Sequence, residues 1–276
     1  MPRLIRHTSA PVRGGPATSR TNLRAGLGFG VPPLAHPLVA PAEWAELARP
    51  GAPLHWAAFD VARGPGSRAD PLYAEIVGRV RENGVPVLGL LDTAHGARPF
   101  AELVSDASRY LDWYRVDGFY LDRAPTGQAE ADECSRTVLT LRALLGGGPD
   151  KGPGQGPDKG PSQGSGNGIL VLNPGVYPHP DYAGLADQLV AFNGPWNRYR
   201  WSEAPQWTAG HPQDRFVHLV HGLPRVHLET ALRIARWQGA GTLWLTDRDD
   251  SDPWAGLPGY WPEVVRKVRK PPPPSM

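Results

Sequence analysis

The chain has 276 residues, of which 40% are hydrophobic and 20% are charged, and its formal net charge is +2. This balance provides enough apolar material for a folded core and excludes a largely disordered chain. The near-neutral charge gives no reason to expect binding to nucleic acid or to an anionic membrane. Cys134 is the only cysteine, which excludes an intrachain disulfide and a cysteine-based zinc site, and we expect its thiol to be buried and inert.

No apolar run reaches the roughly 18 residues needed to span a bilayer, so we predict no membrane insertion. The segment 1–24 contains Arg and Pro but lacks the apolar stretch of a secretory signal. We therefore expect a cytoplasmic protein, or a secreted one if the start of the chain is misassigned.

Residues 1–25 are polar and rich in Ser, Thr, Arg and Pro, which predicts a flexible tail. After this tail, short apolar segments alternate with amphipathic ones. The predicted strands are Leu27–Pro32, Leu54–Asp60, Val85–Leu91, Gly118–Asp122, Ile169–Asn173, Gln188–Asn193, Phe216–His221 and Thr242–Asp247. The predicted helices are Pro41–Ala48, Pro71–Asn83, Phe100–Tyr114, Ala129–Leu145, Asp181–Ala186, His227–Gln238 and Leu257–Arg269. This alternation is typical of βαβ units, and eight strands with a matching set of helices predict a closed (β/α)8 barrel of the TIM type, an α/β fold.

A Gly/Pro-rich segment at 146–168 interrupts this pattern and nearly repeats itself. Such sequence cannot bury an apolar face, so we predict a disordered insertion between the fourth helix and the fifth strand. That connection lies at the N-terminal face of a barrel, away from the expected active site. The predicted organisation is one barrel domain over residues 26–270, followed by an extended tail at 271–276.

Polar side chains end most of the predicted strands, and in a (β/α)8 barrel these ends form the active-site rim. They are His36, Asp60, Asp92, Asp122, Asn173, Asn193, His221 and Asp247. A single Asp or Asn at such a position can simply cap a helix, but so many polar ends at one rim indicate an ionisable pocket. Asp122 is the strongest catalytic candidate, because the apolar neighbours in YRVDGFYLDRAPT would desolvate its carboxyl and raise its pKa toward general-acid use.

The ten tryptophans are a second clue to the ligand. Those in loops after the sixth and eighth strands are Trp196, Trp201, Trp207, Trp254 and Trp261. Indole rings stack on the apolar faces of sugar rings, so we expect these loops to contact a carbohydrate. The tryptophans in predicted strands and helices are instead expected in the core; they are Trp56, Trp113, Trp237 and Trp244.

Other chemistries have less support in the sequence. No HxxxH or HExxH pair occurs on a predicted helix, the glycine-rich segment at 26–30 lacks the Gly-Lys-Ser/Thr ending of a P-loop, and no serine lies in a GxSxG elbow. We therefore predict no metal and no cofactor, with a metal site assembled from distant strands left open.

Eight segments together resemble the spherulin-4 family, which shares a barrel with polygalactosaminidase-type glycoside hydrolases. They are HPLVAPAEW (36–44), GPGSRADPLY (64–73), GVPVLGLLDTAHGARP (84–99), YLDWYRVDGFYLDRAPT (110–126), LNPGVYPHPDY (172–182), VAFNGPW (190–196), VHGLP (220–224) and PWAGLPGYW (253–261). The resemblance covers about residues 27–265 in the family's order. It implies binding or cleavage of an α-linked galactosamine-type polysaccharide at the strand C-termini.

Three positions depart from the family pattern. The family usually has Asp-Glu at the end of the fourth strand, Phe-Glu-Gly-Pro after the sixth and Asn-Pro after the second. This chain has Asp122-Arg123, Asn193 in the sequence Phe-Asn-Gly-Pro, and Asp60-Val61. Asp122 is thus the one expected acid that is kept, whereas glycoside hydrolysis normally needs two carboxyl groups.

Three functions stay open at this point. A glycosidase with a rearranged pair would combine Asp122 with another strand-end acid, for which the candidates are Asp60, Asp92 and Asp247. A non-catalytic carbohydrate-binding barrel would keep the pocket without turnover. An enzyme for an anionic sugar would use Arg98, Arg123 and His221. The remaining expected contacts to a carbohydrate ligand are His36, Asn173, Asn193, Trp196 and Trp201.

Overall fold

A computed structural model describes residues 26–146, 168–249 and 252–269. Eight parallel strands form a closed barrel in the order β1 to β8, with β8 pairing back to β1 through Gly28 and Thr242. The strands are β1 (Gly28–Val31), β2 (Leu54–Phe59), β3 (Val87–Asp92), β4 (Gly118–Asp122), β5 (Ile169–Asn173), β6 (Gln188–Pro195), β7 (Phe216–His221) and β8 (Thr242–Leu245). The helices are α1 (Pro41–Leu47), α2 (Pro71–Glu82), α3 (Phe100–Tyr114), α4 (Ala131–Gly146), α5 (Trp196–Tyr199), α6 (Leu228–Trp237) and α7 (Trp261–Arg269). The prediction of a (β/α)8 barrel is confirmed.

The helix layer is incomplete on one side of the barrel. The predicted helix Asp181–Ala186 is a 3-10 turn at Pro180–Gly184. The connection from β6 to β7 contains one short α-helix, α5, which the sequence did not predict, and two 3-10 turns at Gln206–Gly210 and Gln213–Arg215. Helix α7 begins at Trp261 and not at Leu257, because Leu257 precedes a proline and is biased away from helical backbone angles. These differences lie in connections and leave the strand order intact.

The strands are buried on both faces, as expected when helices cover a parallel sheet. At the N-terminal end of the barrel, Trp56 donates from Nε1 to Gln188 Oε1 at 2.6 Å, and Gln188 donates from Nε2 to Thr242 Oγ1 at 2.8 Å. This network fills the interior across the strands. Side chains therefore occupy the barrel interior at that end.

Trp56 and Trp244 are fully buried and Trp113 packs against the core, as expected. The expectation for Trp237 is wrong, since its side chain lies at the end of α6 and is 76% exposed. Cys134 is buried, and burial raises the pKa of its thiol to about 12. Among the helices that the structure describes, none is both long enough and apolar enough to cross a bilayer.

The predicted tails at 1–25 and 271–276 lie outside the described residues, as does the Gly/Pro-rich insertion apart from Gly146 and Gly168 at its ends. Those two residues end α4 and precede β5, so the insertion belongs to the connection at which it was expected.

Candidate functional site

A pocket of about 410 Å³ opens at the C-terminal ends of the strands. Its walls come from several strands and from the loops that follow β1, β2 and β8. The lining residues are Pro32, Pro33, Leu34, Ala35, His36, Asp60, Val61, Tyr73, Leu90, Tyr120, Asp122, Asn173, Asn193, Leu219, Asp252 and Trp254. The pocket therefore contains five of the twelve site residues predicted from the sequence: His36, Asp60, Asp122, Asn173 and Asn193.

Asp60 is placed by the tight turn that follows β2. Its Oδ1 accepts a hydrogen bond from the backbone N–H of Gly64 at 2.7 Å, and its carbonyl accepts one from the hydroxyl of Tyr73 at 2.9 Å. Burial raises the pKa of the Asp60 carboxyl, the hydrogen bond from Gly64 opposes this rise, and the negative charge of Asp122 adds to it; the balance lies above the ordinary value. A carboxyl of this kind holds its proton more strongly than a free aspartate.

Asp122 ends β4 and lies beside Asn173, its register partner on β5. Asn173 donates from Nδ2 to Asp122 Oδ1 at 2.6 Å. Burial is the largest influence on the Asp122 carboxyl and raises its pKa; the hydrogen bond from Asn173 lowers it by less, so that the pKa stays above the ordinary value. Desolvation by the pocket walls thus raises the pKa of Asp122, as expected from the sequence. A carboxyl with a raised pKa suits the role of a general acid.

Asn173 leaves one polar atom in the pocket without a protein partner. Its side chain is 4% exposed, and its Oδ1 accepts no hydrogen bond within the described part of the chain. A buried acceptor without a donor costs about 1–3 kcal/mol. The atom is therefore available to a ligand that brings an N–H or O–H group into the pocket.

Asp92 does not line this pocket, because Arg123 binds it. Two guanidinium nitrogens of Arg123 donate to the two carboxylate oxygens of Asp92, and the backbone N–H of Ala94 donates to Oδ1 at 2.9 Å. Burial raises the pKa of Asp92, but the hydrogen bonds from Arg123 and Ala94 outweigh it and hold the pKa below its ordinary value. Asp92 is thus an ionised partner of an arginine.

Arg123 reaches Asp92 through an uncommon backbone conformation. Its φ of 48° is left-handed, and its carbonyl accepts hydrogen bonds from Thr93 Oγ1 at 2.6 Å and from the N–H of His95 at 2.7 Å. These bonds offset the cost of roughly 1–2 kcal/mol that a non-glycine residue incurs there. The guanidinium is consequently directed to the β3 rim and does not line the pocket.

Three other predicted site residues lie outside the pocket lining. Arg98 forms ion pairs with Asp106 and Glu102. His221 contacts Asp249 at 3.2 Å and packs edge-on against Trp254, with ring centroids 5.7 Å apart. Asp247 accepts a hydrogen bond from the N–H of Gly259 at 2.9 Å. Asp247 and Arg98 therefore have structural partners, whereas His221 supports a residue of the pocket wall.

His36 lines the pocket, but both of its ring nitrogens are engaged. Nε2 lies 3.1 Å from Asp70 Oδ2, and Nδ1 accepts from the backbone N–H of Leu38 at 3.2 Å. Asp70 is also the N-cap of α2, where its Oδ1 accepts from Leu72 N–H at 2.9 Å. His36 thereby links the loop after β1 to the start of α2 and shapes that side of the pocket.

The loop tryptophans have different environments. Trp196 is buried and stacks on His227, with centroids 5.4 Å apart, whereas Trp201 is 76% exposed and lies under Arg200. Trp261 is buried against Phe29 and Trp244. Trp254 is the loop tryptophan that lines the pocket. Stacking on a bound sugar in this pocket is therefore a role for Trp254, and neither Trp196 nor Trp201 reaches it.

The sequence reasoning did not identify Asp252 as a pocket residue. It lies in the loop after β8, and its Oδ1 accepts a hydrogen bond from the N–H of Trp254 at 3.3 Å. The acidic run DRDDSDPW at 247–254 was a usable signal, because it follows a strand whose end lies at the same rim. Within the described ranges, no three His, Cys, Asp or Glu side chains are grouped closely enough to hold a metal ion.

Comparison with solved structures supports the barrel assignment. The chain is similar to Sph3 from Aspergillus clavatus in complex with GalNAc, with 22% identity, a TM-score of 0.71, and coverage of 89% of this chain and 98% of that one. It is also similar to the spore cortex-lytic enzyme SleL of Bacillus cereus (9% identity, TM-score 0.53, 91% and 75% coverage). A third similar structure is the chitinase RmChi1 of Rhizomucor miehei (11% identity, TM-score 0.50, 89% and 100% coverage). At these identities the likeness concerns the fold.

Comparison with curated protein sequences found no match. A family model, by contrast, covers most of the chain. The model described as Spherulin4, spherulation-specific family 4, matches residues 34–268, a range that includes seven of the eight strands and the whole pocket apart from Pro32 and Pro33. The chain therefore belongs to spherulation-specific family 4.

Proposed function

We propose that this barrel binds an amino-sugar glycan at its C-terminal mouth and hydrolyses it with a rearranged pair of carboxyl groups. The observation that carries the proposal is that Asp60 and Asp122 line one pocket and both have a raised pKa. Glycoside hydrolysis normally needs two carboxyl groups on either side of the bond that is cleaved. Of the acids considered from the sequence as partners of Asp122, only Asp60 shares its pocket in the described part of the chain.

The roles follow from the two environments. Asp122 accepts a hydrogen bond from the neutral amide of Asn173, and burial raises its pKa, so it would donate its proton to the departing glycosidic oxygen. Asp60, which follows β2 and is separated from β4 by a single strand, would then attack the anomeric carbon or remove a proton from the attacking water. Trp254 would stack on a sugar ring, and the amides of Asn173 and Asn193 would bind hydroxyl groups.

The identity of the sugar rests on the relatives. The similar Aspergillus clavatus structure is a complex with GalNAc, and spherulin-4 proteins resemble polygalactosaminidase-type hydrolases. An α-1,4-linked galactosaminan is therefore the substrate class to test first.

A non-catalytic carbohydrate-binding barrel is the second candidate, and one observation favours it. Asn193 lines the pocket at the position where the family usually has a glutamate, and an amide cannot exchange a proton in that role. A pocket that binds sugar without turnover would retain Trp254 and Asn173. An anionic sugar substrate has less support, since Arg98 and Arg123 are paired with carboxylates and do not line the pocket.

The test is mass spectrometry of galactosaminan oligomers, acetylated and partly deacetylated, incubated with the purified chain and with the Asp122→Asn variant. We expect shortened oligomers with the native chain alone. Binding by calorimetry without shortening would establish the binding-only function. Shortening that persists in Asp122→Asn would contradict the assigned role of Asp122.

A further inference from the structure

The connection from β2 to α2 is linked to the pocket at both of its ends. Asp60 begins this connection and lines the pocket, and Asp70 ends it and binds His36, a second pocket residue. Residues 60–70 contain neither helix nor strand. Contacts with neighbouring elements must therefore fix the path of the connection if Asp60 is to hold one position.

One tyrosine of α3 bridges two points of this connection. The Tyr114 hydroxyl accepts a hydrogen bond from the backbone N–H of Asp70 at 3.0 Å and donates one to the carbonyl of Pro65 at 3.1 Å. The Tyr114 side chain is buried, and burial raises the pKa of its hydroxyl, so the proton needed for the second bond is retained. A single hydroxyl group thus ties the middle of the connection to its end.

Two further tyrosines hold the beginning of the connection. The Tyr110 hydroxyl, one turn earlier on α3, donates to the carbonyl of Phe59 at 3.4 Å. The Tyr73 hydroxyl donates to the carbonyl of Asp60 at 2.9 Å. The rings of all three tyrosines surround that of Phe59, with centroids 5.3 Å away in each case. Packing around Phe59 therefore helps to set the positions of the three hydroxyl groups.

Gly64 forms the turn between these anchors. Its backbone N–H donates to Asp60 Oδ1 at 2.7 Å, and its φ of 147° is one that glycine adopts readily. A Cβ at this position would lie 3.1 Å from Asp106 Oδ2 on α3, so the turn packs closely against that helix. The Asp60 carboxyl is thus oriented by an N–H whose position depends on contacts with α3.

We propose that Tyr114 is a positioning residue for Asp60, acting through the connection from β2 to α2 and not through the pocket, which it does not line. This inference rests on the proposed role of Asp60 in hydrolysis. Loss of the hydroxyl would remove the partner of the Asp70 N–H and of the Pro65 carbonyl and loosen the chain between them. The Gly64 N–H would then bind the Asp60 carboxyl less often.

The ionisation of Asp60 should report this change. Titratable groups of several neighbouring elements act on Asp60, pack against its turn or share its pocket. They are His36 after β1, Arg63 in the turn, Asp92 on β3, Asp122 on β4, Tyr73 on α2, and Asp106 and Tyr110 on α3.

The balance at Asp60 is between burial and hydrogen bonding. Burial and the charges of Asp92 and Asp122 raise its pKa, whereas the backbone hydrogen bonds from Gly64 and Arg63 lower it. Weaker bonding from Gly64 should therefore raise the pKa of Asp60 further. A carboxyl that acts as nucleophile or base must be ionised, so the acid limb of the pH–rate profile should move to higher pH.

The experiment compares the full chain with its Tyr114→Phe variant, which lacks the hydroxyl and keeps the ring. Carbon-13 NMR titration of the Asp60 carboxyl should show a raised pKa, and the Gly64 amide should exchange with solvent about tenfold faster. With a galactosaminan oligomer, kcat should fall about tenfold and KM should change little, because a misplaced catalytic group costs rate. The acid limb of the pH–rate profile should move with the pKa of Asp60.

Tyr260→Phe is the matched control. The Tyr260 hydroxyl also donates to a backbone carbonyl, that of Leu223 at 3.2 Å, and its buried side chain does not line the pocket. We expect this variant to leave the Asp60 titration and the Gly64 exchange unchanged, and urea unfolding checks that both variants fold. An unchanged or lowered pKa of Asp60 in Tyr114→Phe, or an equal shift in Tyr260→Phe, would overturn the positioning role.

The NMR measurements do not require turnover, so the two proposals can fail separately. If the native chain cleaves no oligomer but the pKa of Asp60 rises in Tyr114→Phe, the hydrolytic function fails and the positioning of Asp60 by Tyr114 stands. If the native chain cleaves oligomers and Tyr114→Phe retains the native kcat and pH–rate profile, hydrolysis stands and the positioning role fails.

Discussion

Arg123 binds Asp92 across the rim of the barrel, through hydrogen bonds from two guanidinium nitrogens to the two carboxylate oxygens. The pair explains how an arginine is accommodated at the end of β4, where the family usually has an acid. The arginine neutralises the aspartate of the neighbouring strand and leaves Asp122 without an adjacent second acid. Any second carboxyl for catalysis must then come from another part of the pocket.

Replacing Arg123 with Gln should raise the pKa of Asp92, because the hydrogen bonds and the positive charge that now lower it are lost. Carbon-13 NMR titration of the Asp92 carboxyl measures this change. The free energy of unfolding should change little, since the Arg123 side chain is 51% exposed and solvent screens the pair. An unchanged titration of Asp92 would show that the pair does not form in solution.

Asp60→Asn should lower turnover of a galactosaminan by about a hundredfold or more, since a positioned acid or base contributes roughly 10²–10⁴ in rate. Asp247→Asn serves as the matched control, because Asp247 also follows a strand but is bound to the backbone of Gly259. We expect it to retain most of the turnover. Equal losses in the two variants would argue against a specific role for Asp60, and circular dichroism checks that both fold.

Asn173→Ala should raise the pKa of Asp122 further, because the hydrogen bond from Asn173 favours the ionised carboxylate. In an active enzyme that uses Asp122 as its acid, the alkaline limb of the pH–rate profile should move to higher pH. NMR titration of the Asp122 carboxyl tests the same shift without turnover. A downward shift would mean that burial, and not this hydrogen bond, changed in the variant.

Trp254→Ala should weaken binding of a galactosaminan oligomer by about tenfold, as expected for the loss of a stacking partner. Trp201→Ala should leave the affinity unchanged, because Trp201 is exposed away from the pocket lining. Calorimetry with both variants and the same oligomer makes the comparison. A larger effect at Trp201 would place the ligand on a different surface.

Asp70→Ala should lower the free energy of unfolding by about 1–2 kcal/mol, since it removes the N-cap of α2 and the partner of His36. Asp70→Asn should cost less, because asparagine caps helices equally well.

The hydrogen bond from His36 is the main cause that lowers the pKa of Asp70. The pKa of Asp70 is therefore lower in the folded chain than in the unfolded chain. The stabilisation that Asp70 provides through its contact with His36 is present above the ordinary aspartate pKa and is lost as the pH falls through the folded pKa. Urea unfolding of the native chain and both variants, at neutral and at acid pH, provides the measurement; identical stability of all three would rule out the capping role.

The alternation of apolar strands and amphipathic helices was sufficient to predict the barrel. Strands buried on both faces are short continuous apolar runs, whereas the helices are longer and have an apolar stripe on one side. Strand ends such as Asp60, Asp122 and Asn173 were also predictable, since parallel strands place their C-termini at one rim. The short connections between strands and helices were less predictable. The stretch around α5 has no strong period, and its one helical turn is fixed by packing of Trp196 and Tyr199.

The sequence by itself thus determined the order of the strands, the rim at which the polar residues meet, and the family resemblance. Only the tertiary structure decided which of those polar residues share a pocket. Arg123 has a left-handed backbone conformation and binds Asp92, which does not line the pocket. The Trp196 side chain is buried in the core. The loop after β8 places Asp252 and Trp254 in the pocket wall. The physical reason is that periodicity reports which side of an element is buried, whereas ion pairs and loop paths depend on contacts between residues far apart in the chain.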